Sequence, residues 1–301
     1  MTSLCKIGMI GLDTSHATAF TELLHNKAHP YHVPGGVVVA AYPGGSADFE
    51  LSRSRVGPIT DELREHYGVK IVHDLTELAE QCDAILLESV DGRVHLQQFQ
   101  EVVRFQKPVF IDKPFALCSN EAMEMIRLAD AHGTPLMSCS ALRYSEALTS
   151  SLSDHQDGGI LGCDTYGPMR IEETQPGLFW YGIHCVEVLF TVLGKECVRV
   201  RTVTNVDYDM VVGEWANGQI GTVRGNRKGN QKFGTLIHCE QGTHYVDISA
   251  CEKPFYASML ENILAMFVSG KSPCDIADTE RIVRFIECAN ESRRTGLAIN
   301  L

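Results

Sequence analysis

The sequence lacks the features that mark secreted, disulfide-rich or membrane-spanning proteins. Its eleven cysteines are scattered from Cys5 to Cys288 without a C-x-x-C pair, and an odd number cannot pair completely within one chain. No apolar run approaches the roughly 18 residues that a spanning helix needs. The N-terminus has neither the basic segment nor the long apolar segment of a signal peptide. We therefore expect reduced thiols, a cytoplasmic location and no membrane partner.

Positive charge is scarce, and metal-binding patterns are missing. The chain has 26 Lys and Arg against 38 Asp and Glu, a net charge of -12. Such an acidic surface repels phosphate backbones, so nucleic acid is not an expected partner. Five polar residues that could line one cleft have no ligand spacing such as H-E-x-x-H, and no metal site is predicted. These residues are His16, His95, His184, Asp13 and Asp91.

The first 140 or so residues alternate between apolar, strand-like runs and helical patterns. This alternation predicts a doubly wound parallel sheet with helices on both faces, in a domain over residues 1–142. The predicted helices are 60–67, 75–81, 94–105 and 120–132, besides one that opens near Thr14. The predicted strands are 5–12, 37–42, 69–72, 84–88, 108–111 and 136–140.

The pattern changes after residue 142. One apolar segment, 178–193, predicts a buried helix, and five closely spaced strand-like runs follow it between 198 and 248. The dipeptides Asn217-Gly218 and Gln241-Gly242 are hairpin signals. Two helices, 255–269 and 279–293, end the chain. Residues 143–301 therefore predict a C-terminal α+β domain built on a mainly antiparallel sheet.

Four loops of the first domain carry polar residues after a predicted strand. They begin at Gly11, Pro43, Glu88 and Asp112, and His95 lies slightly beyond the third. Ligands of open α/β sheets bind at the carboxyl ends of the strands. We therefore expect these four loops to surround one cleft.

Three segments resemble the glucose–fructose oxidoreductase / inositol dehydrogenase / MocA family. They are the opening K-I-G-M-I-G, the segment F-I-D-K-P-F-A with Asp112 in place of the family's Glu, and Y-G-I-H-C-V-E with Glu187 in place of Asp. The resemblance covers nearly the whole chain. It implies a Rossmann-like dinucleotide-binding domain, NAD or NADP as cofactor, a substrate/oligomerisation domain, and a homodimer or homotetramer.

The resemblance also implies an NAD(P)-dependent oxidoreductase acting on a sugar, a polyol or a related hydroxy compound. Lys113 matches the lysine that hydrogen-bonds the reacting hydroxyl, and His184 matches the family's general acid/base. Tyr144, Trp180, Tyr181 and His95 are expected beside the substrate. The residues expected to line the cofactor cleft are Gly8, Gly11, Asp13, Thr14, Ser15, His16, Gly44, Ser46, Ser89, Asp112 and Pro114.

The chain departs from the family's pattern at several positions. Asp13 and His16 replace the second and third glycines of G-x-G-x-x-G, and Asp13 or Thr14 is expected to cap the first helix. As a cap, Asp13 would take the amides that otherwise bind phosphate. Trp180 stands where the family often has an aspartate, and Asp209 or Glu214 could take over that role only if the fold brings them near.

The loop after the second strand also departs from the pattern. It reads P-G-G-S at 43–46, without the acid that usually binds the ribose hydroxyls, and Arg53 and Arg55 follow it. This composition suits the 2′-phosphate of NADP or another anion. The departures leave a second function open: the same fold without dinucleotide redox activity, as a ligand-binding or regulatory protein or a lyase-type enzyme.

Overall fold

The computed structural model describes residues 4–153 and 157–301, which form two compact units. Among these residues, no helix has the length and apolar character to cross a membrane. The helices are α1 Ser15–His25, α2 Glu50–Tyr67, α3 Leu75–Gln81, α4 His95–Val102, α5 Ser119–His132, α6 Glu146–Ser153, α7 Gly182–Leu193, α8 Phe255–Ser269 and α9 Ile276–Thr295. The strands are β1 Cys5–Ile10, β2 Gly36–Tyr42, β3 Lys70–Ile71, β4 Ala84–Leu87, β5 Val109–Ile111, β6 Leu136–Met137, β7 Ile160–Pro168, β8 Cys197–Thr204, β9 Tyr208–Trp215, β10 Ile220–Asn226, β11 Gly234–Cys239, β12 Thr243–Asp247 and β13 Ile299–Asn300.

The first unit contains the parallel sheet that the sequence predicts. Its strand order is β3-β2-β1-β4-β5-β6, and every pair is parallel. All residues of β4 and β5 are buried, as expected for strands covered on both faces. The chain winds outward from β1 to β3 and then restarts beside β1 with β4. The switch point, where ligands bind in such sheets, therefore lies between the ends of β1 and β4.

The second unit contains a sheet in the order β12-β11-β7-β10-β9-β8-β13. Its pairs are antiparallel except that β7 and β10 run parallel, which confirms the α+β prediction. The sequence analysis missed β7, whose two glycines and terminal proline weaken the strand pattern. The predicted helix 178–193 begins only at Gly182. Met169 packs closely on this first residue, since an added Cβ at Gly182 would lie 2.5 Å from Met169 Sδ.

The units divide the chain differently from the predicted boundary at 142/143. The first unit is Met1–Ala116, Asn120–Cys139 and Tyr256–Ile276; the second is Leu117–Ser119, Ser140–Phe255 and Ala277–Leu301. Most of α8 thus belongs to the first unit. There, Leu264 packs so closely on β2 that a Cβ on Gly36 would lie 2.9 Å from Leu264 Cδ2. Such a return of the chain leaves no local pattern in the sequence.

Candidate active site

The loop after β1 lies directly against the loop after β4. Gly11 has φ +88°, and a Cβ on it would lie 2.3 Å from the backbone nitrogen of Ser89. Only glycine allows both this backbone conformation and this approach. Gly8, which was also predicted to line the cleft, lies inside β1 instead. An added Cβ there would lie 2.6 Å from Leu78 Cδ2 on α3, so Gly8 serves helix–strand packing.

Asp13 is buried at the same place but does not cap α1. Its Oδ1 accepts a hydrogen bond from Val90 N at 3.0 Å, and its Oδ2 accepts one from Ser52 Oγ at 2.6 Å. The cap is Thr14, whose Oγ1 accepts from His16 N at 3.4 Å. Burial raises the pKa of Asp13, while the bonds from Ser52 and Val90 lower it. The prediction that Asp13 takes the first amides of α1 is therefore wrong, because its carboxylate turns away from the helix.

Three titratable side chains meet at the ends of β1, β4 and β5. His16 Nδ1 lies 3.0 Å from Asp112 Oδ2 and 3.6 Å from Glu88 Oε2, and none of the three residues is more than 5% exposed. We call them the switch-point cluster. His16 Nε2 lies 3.0 Å from the hydroxyl of Tyr256 on α8.

The cluster changes the protonation of its members. Burial alone would lower the pKa of His16, but Asp112 and Glu88 raise it to about 9. Burial, together with the charge of Asp112, raises the pKa of Glu88 to about 7. Burial would also raise the pKa of Asp112, but His16 and Lys113 hold it below its usual range. At neutral pH, therefore, His16 carries positive charge beside the ionised Asp112.

Lys113 and Pro114 follow this cluster at the end of β5, joined by a cis peptide bond. The Lys113 side chain is 12% exposed, and its Nζ lies 4.0 Å from Asp112 Oδ2. The next two residues, Phe115 and Ala116, are buried in the core. This anchoring holds the lysine at the carboxyl edge of the sheet, where the sequence placed it.

The loop after β2 forms a shallow cavity of about 240 Å³. Its glycines, Gly44 and Gly45, have φ values of 63° and 102°. Ser46 N donates to Ser52 Oγ at 2.8 Å, so Ser52 links this loop to Asp13. The only charged side chain in the lining is the cationic Arg53, so the lining has no carboxylate. The lining residues are Gly44, Gly45, Ser46, Ala47, Arg53 and Val56.

His95 and Ser89 are structural residues in this arrangement. His95 is completely buried, with Nε2 2.7 Å from the carbonyl of Ser89 and Nδ1 3.2 Å from the carbonyl of Phe115. Ser89 Oγ donates to Gln98 Oε1 at 2.8 Å. Both ring nitrogens of His95 therefore hold the loops after β4 and β5, which contradicts its predicted place beside a substrate.

In the second unit, His184 lies in the first turn of α7. Its Nδ1 lies 2.7 Å from Ser140 Oγ, and its ring makes edge contacts with Tyr181 and Phe233 at centroid distances of 5.4 and 5.6 Å. Trp180 comes just before this helix, and Tyr144 ends the 3-10 turn Ala141–Tyr144. Ser140 is the N-cap residue of that turn, and its contact with Nδ1 therefore connects the turn to His184.

Carboxylates that could assist His184 are engaged elsewhere. Glu187 Oε1 accepts from Arg143 Nε at 2.7 Å; burial raises the pKa of Glu187, and Arg143 opposes this. Asp209 pairs with Arg227 and with Arg293. Glu214, on β9, pairs with Arg199 at 2.7 Å. Neither Asp209 nor Glu214 replaces the aspartate that Trp180 displaces.

Comparison with known proteins agrees with this geometry. Residues 5–139 match the model of the glucose–fructose oxidoreductase / inositol dehydrogenase / MocA family, described as an oxidoreductase family with an NAD-binding Rossmann fold. Over residues 5–139 the chain is therefore similar to this family. No curated protein is similar enough in sequence to count as a relative.

Solved structures share the fold of the whole chain. Scyllo-inositol dehydrogenase from Lactobacillus casei is 15% identical, with a TM-score of 0.81, over 100% of this chain and 99% of its own. Myo-inositol dehydrogenase from the same organism, in complex with NAD(H) and myo-inositol, is 15% identical with a TM-score of 0.78 over 99% and 97%. Myo-inositol 2-dehydrogenase from Lactobacillus plantarum is 15% identical with a TM-score of 0.81 over 99% and 100%. At this identity the likeness shows the fold.

The residues at the family's cofactor positions fit a dinucleotide at two places. Thr14 and Ser15 open α1, whose first turn is not capped by Asp13 and whose dipole attracts a pyrophosphate. The cavity around Gly44 and Ser46 offers backbone amides, a hydroxyl and the Arg53 guanidinium. The buried carboxylates of the switch-point cluster add negative charge nearby, which the protonated His16 offsets in part.

Sequence reasoning missed several residues of these sites. Glu88, which directly follows β4, was recognised as the start of a cleft loop but was assigned no role, although a charged residue at a strand's carboxyl end is a signal for one. No signal of this kind marked the other missed residues, because they do not directly follow a predicted strand in the parallel sheet: Ser52, Tyr256, Ser140 and Arg143. Each reaches its partner through the fold, across 39 to 240 residues of sequence.

Proposed function

We propose that the protein is an NAD(P)-dependent oxidoreductase acting on a hydroxyl group of a sugar, a polyol or a related compound. The observation that carries this proposal is Lys113, which the D-K-P segment holds at the carboxyl end of β5. Gly11 lets the loop after β1 lie directly against the loop after β4, at the switch point where sheets of this kind bind their ligands. The free thiols of all eleven cysteines favour a cytoplasmic location.

In this proposal each residue has a distinct task. The nicotinamide, when bound, supplies the hydride acceptor or donor. Lys113 donates a hydrogen bond to the reacting hydroxyl and stabilises negative charge on its oxygen. His184 Nε2 takes the hydroxyl proton, while Ser140 at Nδ1 fixes the ring's orientation. Thr14, Ser15 and the 44–46 loop hold the phosphates and the ribose.

The loop after β2 supports NADP over NAD, because its lining has Arg53 and no carboxylate. Titration with NADPH and NADH, followed by nicotinamide fluorescence and thermal shift, tests this. We expect micromolar binding of NADPH, weakened about 5- to 13-fold in Arg53→Ala because an exposed charge-assisted contact is worth roughly 1–1.5 kcal/mol. Arg64→Ala, an exposed arginine on the same helix, is the control and should not change binding.

The outcomes of this titration separate the candidates. Equal binding of NADH and NADPH, unchanged in Arg53→Ala, would contradict the preference for NADP. Failure of both nucleotides to bind at millimolar concentration would overturn the redox proposal. It would favour a ligand-binding or lyase-type protein, for which Glu88 and Asp112 are the supporting observation, since two buried carboxylates beside α1 repel a pyrophosphate.

We also propose that a second copy packs on the open face of the seven-stranded sheet. Apolar and amphipathic side chains share that face in a cavity of about 440 Å³, lined by Asp164, Thr165, Tyr166, Met210, Val212, Thr222, Arg224 and Leu236. Tyr245 and Leu236 on neighbouring strands stay 58% and 36% exposed. Sedimentation velocity should show a dimer or tetramer that Val212→Arg dissociates. A monomeric wild type at micromolar concentration would contradict this.

A further inference from the structure

The switch-point cluster has no task in the proposed reaction. His16 Nδ1, both Oε atoms of Glu88 and both Oδ atoms of Asp112 are buried, and apart from the contacts of Nδ1 with the two carboxylates none of them makes a side-chain hydrogen bond to a described residue. Buried polar atoms are nearly always satisfied, so five such atoms in one place indicate that a binding partner belongs there.

The spacing of the cluster matches the coordination sphere of a small cation. One ligand atom from each residue lies within 4.8 Å of the other two. The His16 nitrogen is 3.0 Å from the Asp112 oxygen and 3.6 Å from the Glu88 oxygen. Bonds of about 2.1 Å at angles of 90–110° separate neighbouring ligands by about 3.0–3.5 Å. An ion can therefore bind all three side chains with small adjustments of rotamer.

The surroundings of His16 support the same interpretation. Its Nε2 lies 3.0 Å from the Tyr256 hydroxyl, and the two rings make an edge contact at 4.7 Å between centroids. Metal-binding histidines typically donate their second N–H to such a partner, which fixes the ring and leaves the other nitrogen for the metal. With the Tyr256 hydroxyl at Nε2, Nδ1 faces the carboxylates and becomes a metal ligand once the ion displaces its proton.

We propose that His16, Glu88 and Asp112 bind a divalent first-row transition-metal ion, such as Zn²⁺ or Mn²⁺. One imidazole nitrogen and two carboxylates form a ligand set that suits these ions. The ion neutralises two buried carboxylates, and three protein ligands leave at least one coordination position for water or an oxygen of a bound ligand. The proposal does not depend on dinucleotide binding.

Isothermal titration of the chelator-treated full-length protein with Zn²⁺, Mn²⁺ and Co²⁺ at pH 8 tests the site. We expect one ion per chain with micromolar or tighter affinity for at least one of the three. The isosteric variants Glu88→Gln and Asp112→Asn should each lose at least 100-fold in affinity. Tyr256→Phe, which removes the hydroxyl beside Nε2 and keeps the ring, should lose about 10-fold.

His238→Gln is the matched control. His238 also lies 2.9 Å from a carboxylate, that of Asp164, but the pair is exposed and has no third ligand. Its loss should leave the affinity unchanged. Absence of binding of all three ions at millimolar concentration would overturn the proposal, as would unchanged affinity in Glu88→Gln and Asp112→Asn.

X-ray absorption of the metal-loaded wild type decides the case if those variants do not fold. The spectrum should show nitrogen and oxygen ligands with a single imidazole. Sulfur ligands would assign the ion to cysteines and overturn the proposal, as would two or more imidazoles. Because no nicotinamide is present in either experiment, these results are independent of the proposed redox activity.

Discussion

Replacing Gly11 with alanine is expected to lower the free energy of unfolding by about 3–5 kcal/mol and to abolish dinucleotide binding. The new Cβ would lie 2.3 Å from Ser89 N and 2.4 Å from Ser89 Cα, both backbone atoms that cannot turn aside. The backbone at φ +88° adds a penalty of about 1–2 kcal/mol for any L-residue. Urea unfolding of the two proteins measures the difference.

Gly133→Ala is the matched control for this experiment. Gly133 has φ +64°, and an added Cβ would meet no atom within 4 Å. It therefore isolates the cost of the left-handed backbone, about 1 kcal/mol, from the cost of the close approach. A Gly11→Ala protein no less stable than Gly133→Ala would show that the loops after β1 and β4 are not in contact.

The positions of the buried strands were predictable from the sequence, but the start of one helix was not. Parallel strands buried on both faces appear as continuous apolar runs, and β1, β2, β4 and β5 lie close to their predicted positions. Helix α2 is a counterexample. It begins at Glu50 instead of residue 60, because Arg53, Arg55 and Pro58 hide the helical pattern of its first half. The structure tolerates them since the exposed first turns bury little apolar surface.

The candidate site was predicted less completely than the fold. The residues after β1 and β5 were identified, because a polar residue at the end of an apolar run is visible locally. The direction of the Asp13 carboxylate was not, since it depends on Ser52 and Val90, 39 and 77 residues away. The cluster of His16 with Glu88 and Asp112 was missed for the same reason: sequence spacing reveals ligands on one helix, not ligands from three strand ends.

The second large effect is expected for Lys113→Met, which should lower kcat/KM by about 10²- to 10⁴-fold. Methionine keeps much of the volume of the side chain. It removes the ammonium group of Lys113, which is the only cation of the D-K-P segment. The reacting oxygen then develops negative charge without a nearby ammonium. Dinucleotide affinity should change less than threefold, because Lys113 acts on the substrate hydroxyl. The measurement is steady-state reduction of NAD(P)⁺ with the polyol or sugar that the wild type oxidises fastest.

Lys70→Met controls for the removal of a lysine as such. Lys70 is an exposed residue of β3 whose ammonium pairs with Glu77 at 2.8 Å, and its loss should leave both constants unchanged. If kcat/KM stays at the wild-type value in Lys113→Met, the role of Lys113 is to stabilise the loop after β5 and not to act on the substrate. A reduced affinity for the dinucleotide at unchanged kcat would instead move Lys113 from the substrate to the cofactor. Either result would leave His184, oriented by Ser140, as the remaining candidate for handling the proton.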